Sequence, residues 1–176
     1  MNNRQKRSKH LAECAIIAAL YAVATYLSAA MGLAYGPIQF RISEALCILS
    51  VFTPAAIPGL TIGCVIGNLG SPMGVWDIVF GAVATFLAAV FGRVLRNIRV
   101  KDLPLLSAFM PVIFNALIVG AEITFLFPSG EYASKITAFA VSALEVGLGE
   151  LAVCFVLGLP LCSALKKTKL FSYNKQ

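Results

Sequence analysis

From Leu11 to Ala34 the chain runs as one apolar stretch, and runs of the same kind recur to Leu165. A bilayer crossing needs about 20 apolar residues at roughly 1.5 Å of rise each. In lipid every backbone polar group must be satisfied within the protein, so a chain of such runs folds as packed helices. Composition agrees: 59% of the 176 residues are hydrophobic and 12% charged, where a soluble domain carries about 25%. The net charge of +6 then reads as topology rather than nucleic-acid affinity, because Lys and Arg collect on the cytoplasmic side. Arg4, Lys6, Arg7 and Lys9 before the first run resemble a signal-peptide start, but the run is too long for an h-region and is expected to be a retained first helix. The five cysteines, Cys14, Cys47, Cys64, Cys154 and Cys162, lie in apolar segments without CxxC spacing, as small hydrophobes rather than disulfides or metal ligands.

The segment Leu46–Gly67 is long enough for one span, yet Thr53-Pro54 and Pro58 interrupt it. Three basic clusters decide the reading: the N-terminus; Arg93, Arg96, Arg99 and Lys101; and Lys166, Lys167, Lys169 and Lys175. A single span would put the second and third outside, whereas two short helices put all three in the cytoplasm. The expected fold is an all-α membrane protein, one integral domain over 1–176. Its six helices are placed at about 10–34, 42–53, 55–69, 76–96, 103–127 and 137–165, with both termini cytoplasmic. Gly59, Gly63 and Gly67 form a repeated GxxxG, a face on which a neighbouring helix can pack closely. In the first helix Ala15 and Ala19 form a small-xxx-small pair, with Ala18 and Ala22 as a second. Pro111 and Pro160 should perturb the last two helices.

Polar chemistry concentrates in few places. Tyr35 to Ala45 interrupts the apolar pattern with Gly36-Pro37 as a helix break, then Gln39, Phe40, Arg41 and Glu44. Arg41 and Glu44 are three apart and are expected to pair on a helix whose start Ser43 caps. Three glutamates fall at membrane depth: Glu122, Glu145 and Glu150. Each would cost about 2.5–3.5 kcal/mol on insertion scales, so such groups face an interior cavity. Asn115 shares a helical face with Glu122, while Glu145 and Glu150 are about 140° apart on theirs. With Trp76, Asp77 and the 35–44 loop these groups converge on the outer half of the bundle. Pairing of the glutamates with Arg41, Lys135 or backbone is the structural alternative. A site rich in carboxylates suits a cationic or donor-rich ligand, with Trp76, Phe40, Tyr35 or Tyr132 stacking on a flat ring. The same aromatics also suit an interfacial belt. No Walker A loop is present, the single histidine, His10, lies in the basic margin, and Asp77 and Asp102 fall on opposite sides. No catalytic residue, metal ligand or cofactor site is therefore expected.

Ala15-Ile-Ile-Ala-Ala19, Tyr35 to Leu46, Gly59 to Leu69 and Trp76 to Thr85, in this order, resemble the QueT family of substrate-binding S components of energy-coupling factor (ECF) transporters. The resemblance covers essentially the whole chain. It implies a bacterial or archaeal cytoplasmic-membrane subunit that binds a queuosine precursor at its outer half and hydrolyses no ATP itself. The expected ligand is 7-aminomethyl-7-deazaguanine (preQ1) or a related base. The implied partners are a transmembrane coupling subunit, reached through Ala15 and Ala19 with Ala18 and Ala22 beside them, and two cytoplasmic ATPases; nucleic acid is not among them. On this reading Glu122 and Glu145 divide the ammonium and the ring donors between them, and Asn115 reads the ring. Trp76 or Phe40 stacks, Arg41 and Glu44 order the loop, and Gln39, Asp77 and Glu150 complete the contacts. An S component for another cationic heterocycle such as thiamine, and a membrane assembly protein without a ligand, are the competing readings.

Overall fold

The structure, a computed structural model, describes residues 2–35, 38–127, 132 and 134–168. Gly36-Pro37, most of the 128–132 turn, Lys169 and Lys175 lie outside the described residues. Six helical elements run through the rest: α1 (Asn3–Ala30), α2 (Ile42–Val51), α3 (Ala56–Gly67), α4 (Val75–Val94), α5 (Leu105–Leu126) and α6 (Lys135–Lys167). Four of them, α1, α4, α5 and α6, are long and apolar enough to cross a membrane, while α2 and α3 are shorter apolar helices. Among the described residues there is no strand.

Local sequence sets the boundaries. The amide of Asn2 donates to Gln5 Oε1 (3.1 Å), so α1 starts seven residues before His10, the expected first residue. It ends at Ala30 rather than Ala34 because Gly32 takes φ +72°, with Leu33 N donating to Ser28 O and Gly32 N to Ala29 O. This is a Schellman stop. Pro111 is accommodated within α5. In α6 the stretch Cys154–Gly158 widens to π geometry just before Pro160. Proline has no amide to donate and its ring crowds the carbonyl four residues back, here Val156, which a π turn relieves.

α1, α3, α4, α5 and α6 pack in sequence as neighbours, and α2 is wedged among them, touching every other helix. It is a 3-10 helix with eight of its ten residues buried. The α1–α3 seam is close along its whole length. A Cβ on Gly59 would lie 2.9 Å from the Cys14 carbonyl, on Gly63 2.7 Å from Tyr21 Cβ, and on Gly67 2.9 Å from Thr25 Cβ. The glycine face therefore meets the α1 face of Ile17, Ala18, Tyr21, Ala22 and Thr25, all buried.

This narrows one sequence expectation. Ala18 and Ala22 are buried, Ala18 against α3, whereas Ala15 and Ala19 are exposed on the adjoining flank of α1. Of the four alanines expected to dock a partner, only Ala15 and Ala19 lie on the surface.

The described residues of the three basic clusters share one end of the bundle. Thr53 donates to Glu13 Oε2 (2.8 Å) beside Lys9, Arg93 Nη1 donates to the Ser50 carbonyl (3.0 Å), and Lys166 Nζ donates to the Asp102 carbonyl. The tight turn Val100–Leu103 closes the α4–α5 connection there, with Lys101 and Asp102 both at positive φ.

Candidate ligand site

The opposite end carries the polar groups that lack an obvious structural purpose. Three elements meet there: the 38–41 segment, the first turn of α4 and the second half of α5. Gln39 is buried, its carbonyl pressed onto α6 so closely that a Cβ on Gly149 would fall 2.0 Å from it. Phe40 N donates to the Leu33 carbonyl (2.9 Å) and Ile42 N to Ser28 Oγ (3.0 Å), so the segment is strapped to the end of α1. Gly149→Val should push the strap off. Amide exchange at Phe40 and Ile42 should rise by about tenfold or more, equivalent to roughly 1.4 kcal/mol of lost protection. Unchanged exchange would show that the strap does not depend on this contact.

Arg41 is 4% exposed and Asp77 1%, and Arg41 Nη2 lies 3.2 and 3.0 Å from the two Asp77 carboxylate oxygens. Burial works against the guanidinium charge, but the surrounding groups, Asp77 foremost with Cys64, Tyr21 and Glu44, together outweigh it, so Arg41 holds its proton more firmly than in water. Arg41 Nε reaches the Ala34 carbonyl (3.4 Å), and its guanidinium lies 5.6 Å from the Tyr35 ring centre. Asn68 Nδ2 donates to the Asp77 carbonyl (3.0 Å), fixing the first turn of α4.

The expected Arg41–Glu44 pair does not form. Arg41 is the extended N-cap of α2 (φ −89°, ψ 99°), so its side chain leaves towards α4 while Glu44 turns into the bundle. There the Tyr21 hydroxyl donates to Glu44 Oε1 and the Cys47 thiol to Oε2 (3.1 Å). Ser43, expected to cap this helix, instead accepts from Thr25 Oγ1 (2.8 Å). Glu150 is buried near Glu44, with the Cys154 thiol 3.9 Å away and Asn115 beside it.

Glu122 differs from all of these. It is 1% exposed, and neither carboxylate oxygen has a hydrogen-bond partner among the described residues. Its charged neighbours are Asp77 and Arg41. Asn115, two turns earlier on the same helix, is also buried with its Nδ2 unpartnered, as is Asn68 Oδ1. A buried polar group without a partner costs about 1–3 kcal/mol, more when charged. A ligand that satisfies both must offer N–H donors to the Glu122 carboxylate and an acceptor to the Asn115 Nδ2.

The remaining expected contacts stand further out. Trp76, one residue from Asp77, points away: it is 49% exposed and tilts against Phe80 at 6.4 Å. Phe40 and Tyr132 are exposed, Tyr35 and Glu145 half-buried. Lys135, a possible partner for the glutamates, lies over the Phe125 ring at 6.0 Å. The buried core of the candidate site is thus Arg41, Asp77, Asn115 and Glu122, with Gln39 buried against Gly149 of α6 and Glu44 and Glu150 forming an inner nest. Glu44's place in that nest was hidden in the sequence, where its spacing suggested only a local pair.

Comparison with known proteins follows this geometry. A family model described as QueT transporter matches residues 11–167. Over 99 residues the chain is 35% identical to the Queuosine precursor transporter QueT of Lactococcus lactis subsp. cremoris (strain MG1363), which covers 56% of this chain and 57% of the relative. The matched part therefore spans little more than half of that relative's length. No solved structure matches the chain.

Proposed function

The chain belongs to the QueT transporter family and is a multi-pass helical membrane protein. From that premise we propose that it is the substrate-binding subunit of an ECF-type importer for a queuosine precursor, preQ1 or a related deazapurine. The observation that carries this reading is Glu122, a buried carboxylate with no hydrogen-bond partner among the described residues, two turns from Asn115, whose Nδ2 is likewise unpartnered. PreQ1 brings an ammonium group and N–H donors for the Glu122 carboxylate, and a guanine-type ring carbonyl as acceptor for the Asn115 Nδ2. In this reading Glu122 takes the ammonium, Asn115 reads the ring, and the Gln39 strap closes over both. Trp76, Phe40 and Glu145 stand at the rim.

The basic end then faces the cytoplasm with both termini, and all six helices cross or enter the membrane. ATP hydrolysis is assigned to partner subunits. The surface offered to their coupling subunit is the exposed face of α1, Ala15 and Ala19 among Ile16, Leu20 and Val23. Ala15→Trp with Ala19→Trp should abolish co-purification with a coupling subunit and leave solitary ligand binding unchanged. Retained co-purification would remove this face from the interface.

The test of function uses Trp76 as reporter, the single tryptophan of the chain. The purified chain in detergent is titrated with preQ1, guanine and thiamine. Saturable quenching by preQ1 alone is the expected result; no response, with none by calorimetry, would overturn the assignment.

A further inference from the structure

The buried acids and bases do not balance. Among the described residues the buried Asp, Glu, Lys and Arg side chains are Arg41, Glu44, Asp77, Glu122 and Glu150, one guanidinium against four carboxyls. Glu44 and Glu150 sit in the inner nest with hydroxyl and thiol donors. The charges that Glu122 faces are those of Asp77 on α4 and Arg41 at the start of α2. Asp77 and Arg41 cancel, because both Asp77 oxygens are turned to one guanidinium nitrogen. With the inner nest set apart, what remains at this end is the Glu122 carboxyl alone, with no hydrogen-bond partner among the described residues.

We propose that the Arg41–Asp77 pair sets the charge of the site and thereby its specificity: with Asp77 neutralising Arg41, Glu122 is left to select a ligand bearing one positive charge. This rests on the assignment of Glu122 to the ligand site and adds the residue that decides charge. Asp77 is then a positioning residue that acts through Arg41. Without Asp77 the guanidinium is free to turn to Glu122, and the site becomes neutral with its cation already in place. A neutral ring then fits as well as a charged one, since specificity is a difference of affinities and an unpaired buried charge penalises the wrong ligand.

The experiment compares two ligands with the same deazaguanine ring, the 7-aminomethyl compound, a cation at neutral pH, and its neutral 7-cyano analogue. Calorimetry on the purified full chain gives the ratio of their dissociation constants. The wild-type ratio should favour the cation by about tenfold or more. Asp77→Asn should bring it to about one or invert it. The double variant Arg41→Gln with Asp77→Asn restores one net negative charge and should restore the preference, which a merely structural role for Asp77 would not do. If Asp77→Asn alone does not fold, Glu122→Gln makes the same change in charge without breaking the ion pair and should equally abolish the ratio. Equal wild-type affinities, a preference that survives Asp77→Asn and Glu122→Gln, or a double variant that stays unselective would each overturn the inference. Binding of neither ligand by the wild type would overturn the proposed function itself, and the inference with it.

Discussion

Glu122→Gln should do two opposite things: weaken preQ1 binding by at least about tenfold, roughly 1.4 kcal/mol, and make the empty protein more stable. The first follows from losing the carboxylate that meets the ammonium, because hydrogen bonds to a charged group are about twice as strong as neutral ones. The second follows from the state of the side chain before ligand arrives. Glu122 is buried with both oxygens unpartnered, and a charge held in that condition opposes folding. Glutamine keeps the shape and removes the charge. For a chain of this size each kcal/mol gained should raise the melting temperature by roughly 2–4 °C. Thermal unfolding in detergent, with and without preQ1, checks both halves. A variant that melts lower and binds as before would make Glu122 a structural residue.

Gly63→Val should prevent α1 and α3 from packing. Its Cβ would fall 2.7 Å from Tyr21 Cβ and 2.8 Å from the Ala18 carbonyl, and one of these is backbone that cannot rotate aside. Overpacking typically costs about 1–3 kcal/mol, and a clash against backbone in a seam of three glycines belongs at the upper end or beyond. The consequence spreads, because Tyr21 also holds Glu44. The expected outcome is loss of the monodisperse peak on size-exclusion chromatography and of ligand binding together. Gly70→Val is the control: a Cβ there meets only Tyr26 Cε1, at 3.6 Å, and the variant should behave as wild type. If Gly63→Val purifies and binds normally, the seam is not as close as described.

These two residues also show what could be read from the chain. The glycine face was legible because lipid gives helices few ways to approach closely, and a four-residue glycine repeat is one of them. Glu122 was legible for a related reason, since a carboxylate at membrane depth must have a purpose. The partners were not. Spacing on a helix predicts neighbours only if both residues are helical, and Arg41 is an extended cap. The contacts that decide the site, Arg41 with Asp77 and Glu44 with Tyr21, join residues 36 and 23 positions apart. Nothing local in the sequence records them. Ala18 and Ala22, buried within the chain, show the same limit: a small residue announces close approach without saying which helix approaches.

The wedge among the helices has a consequence for how the protein is made. Ten residues of 3-10 helix rise about 20 Å, well short of a hydrocarbon core of about 30 Å, and α2 carries Ser43 and Glu44 on its buried surface. Alone in lipid it would be too short and too polar to hold a place. The long helices can enter the bilayer one at a time as they leave the ribosome, but α2 has nowhere to settle until α4, α5 and α6 have come together around it. Assembly must therefore run out of chain order, with the second segment synthesised among the last to reach its final position.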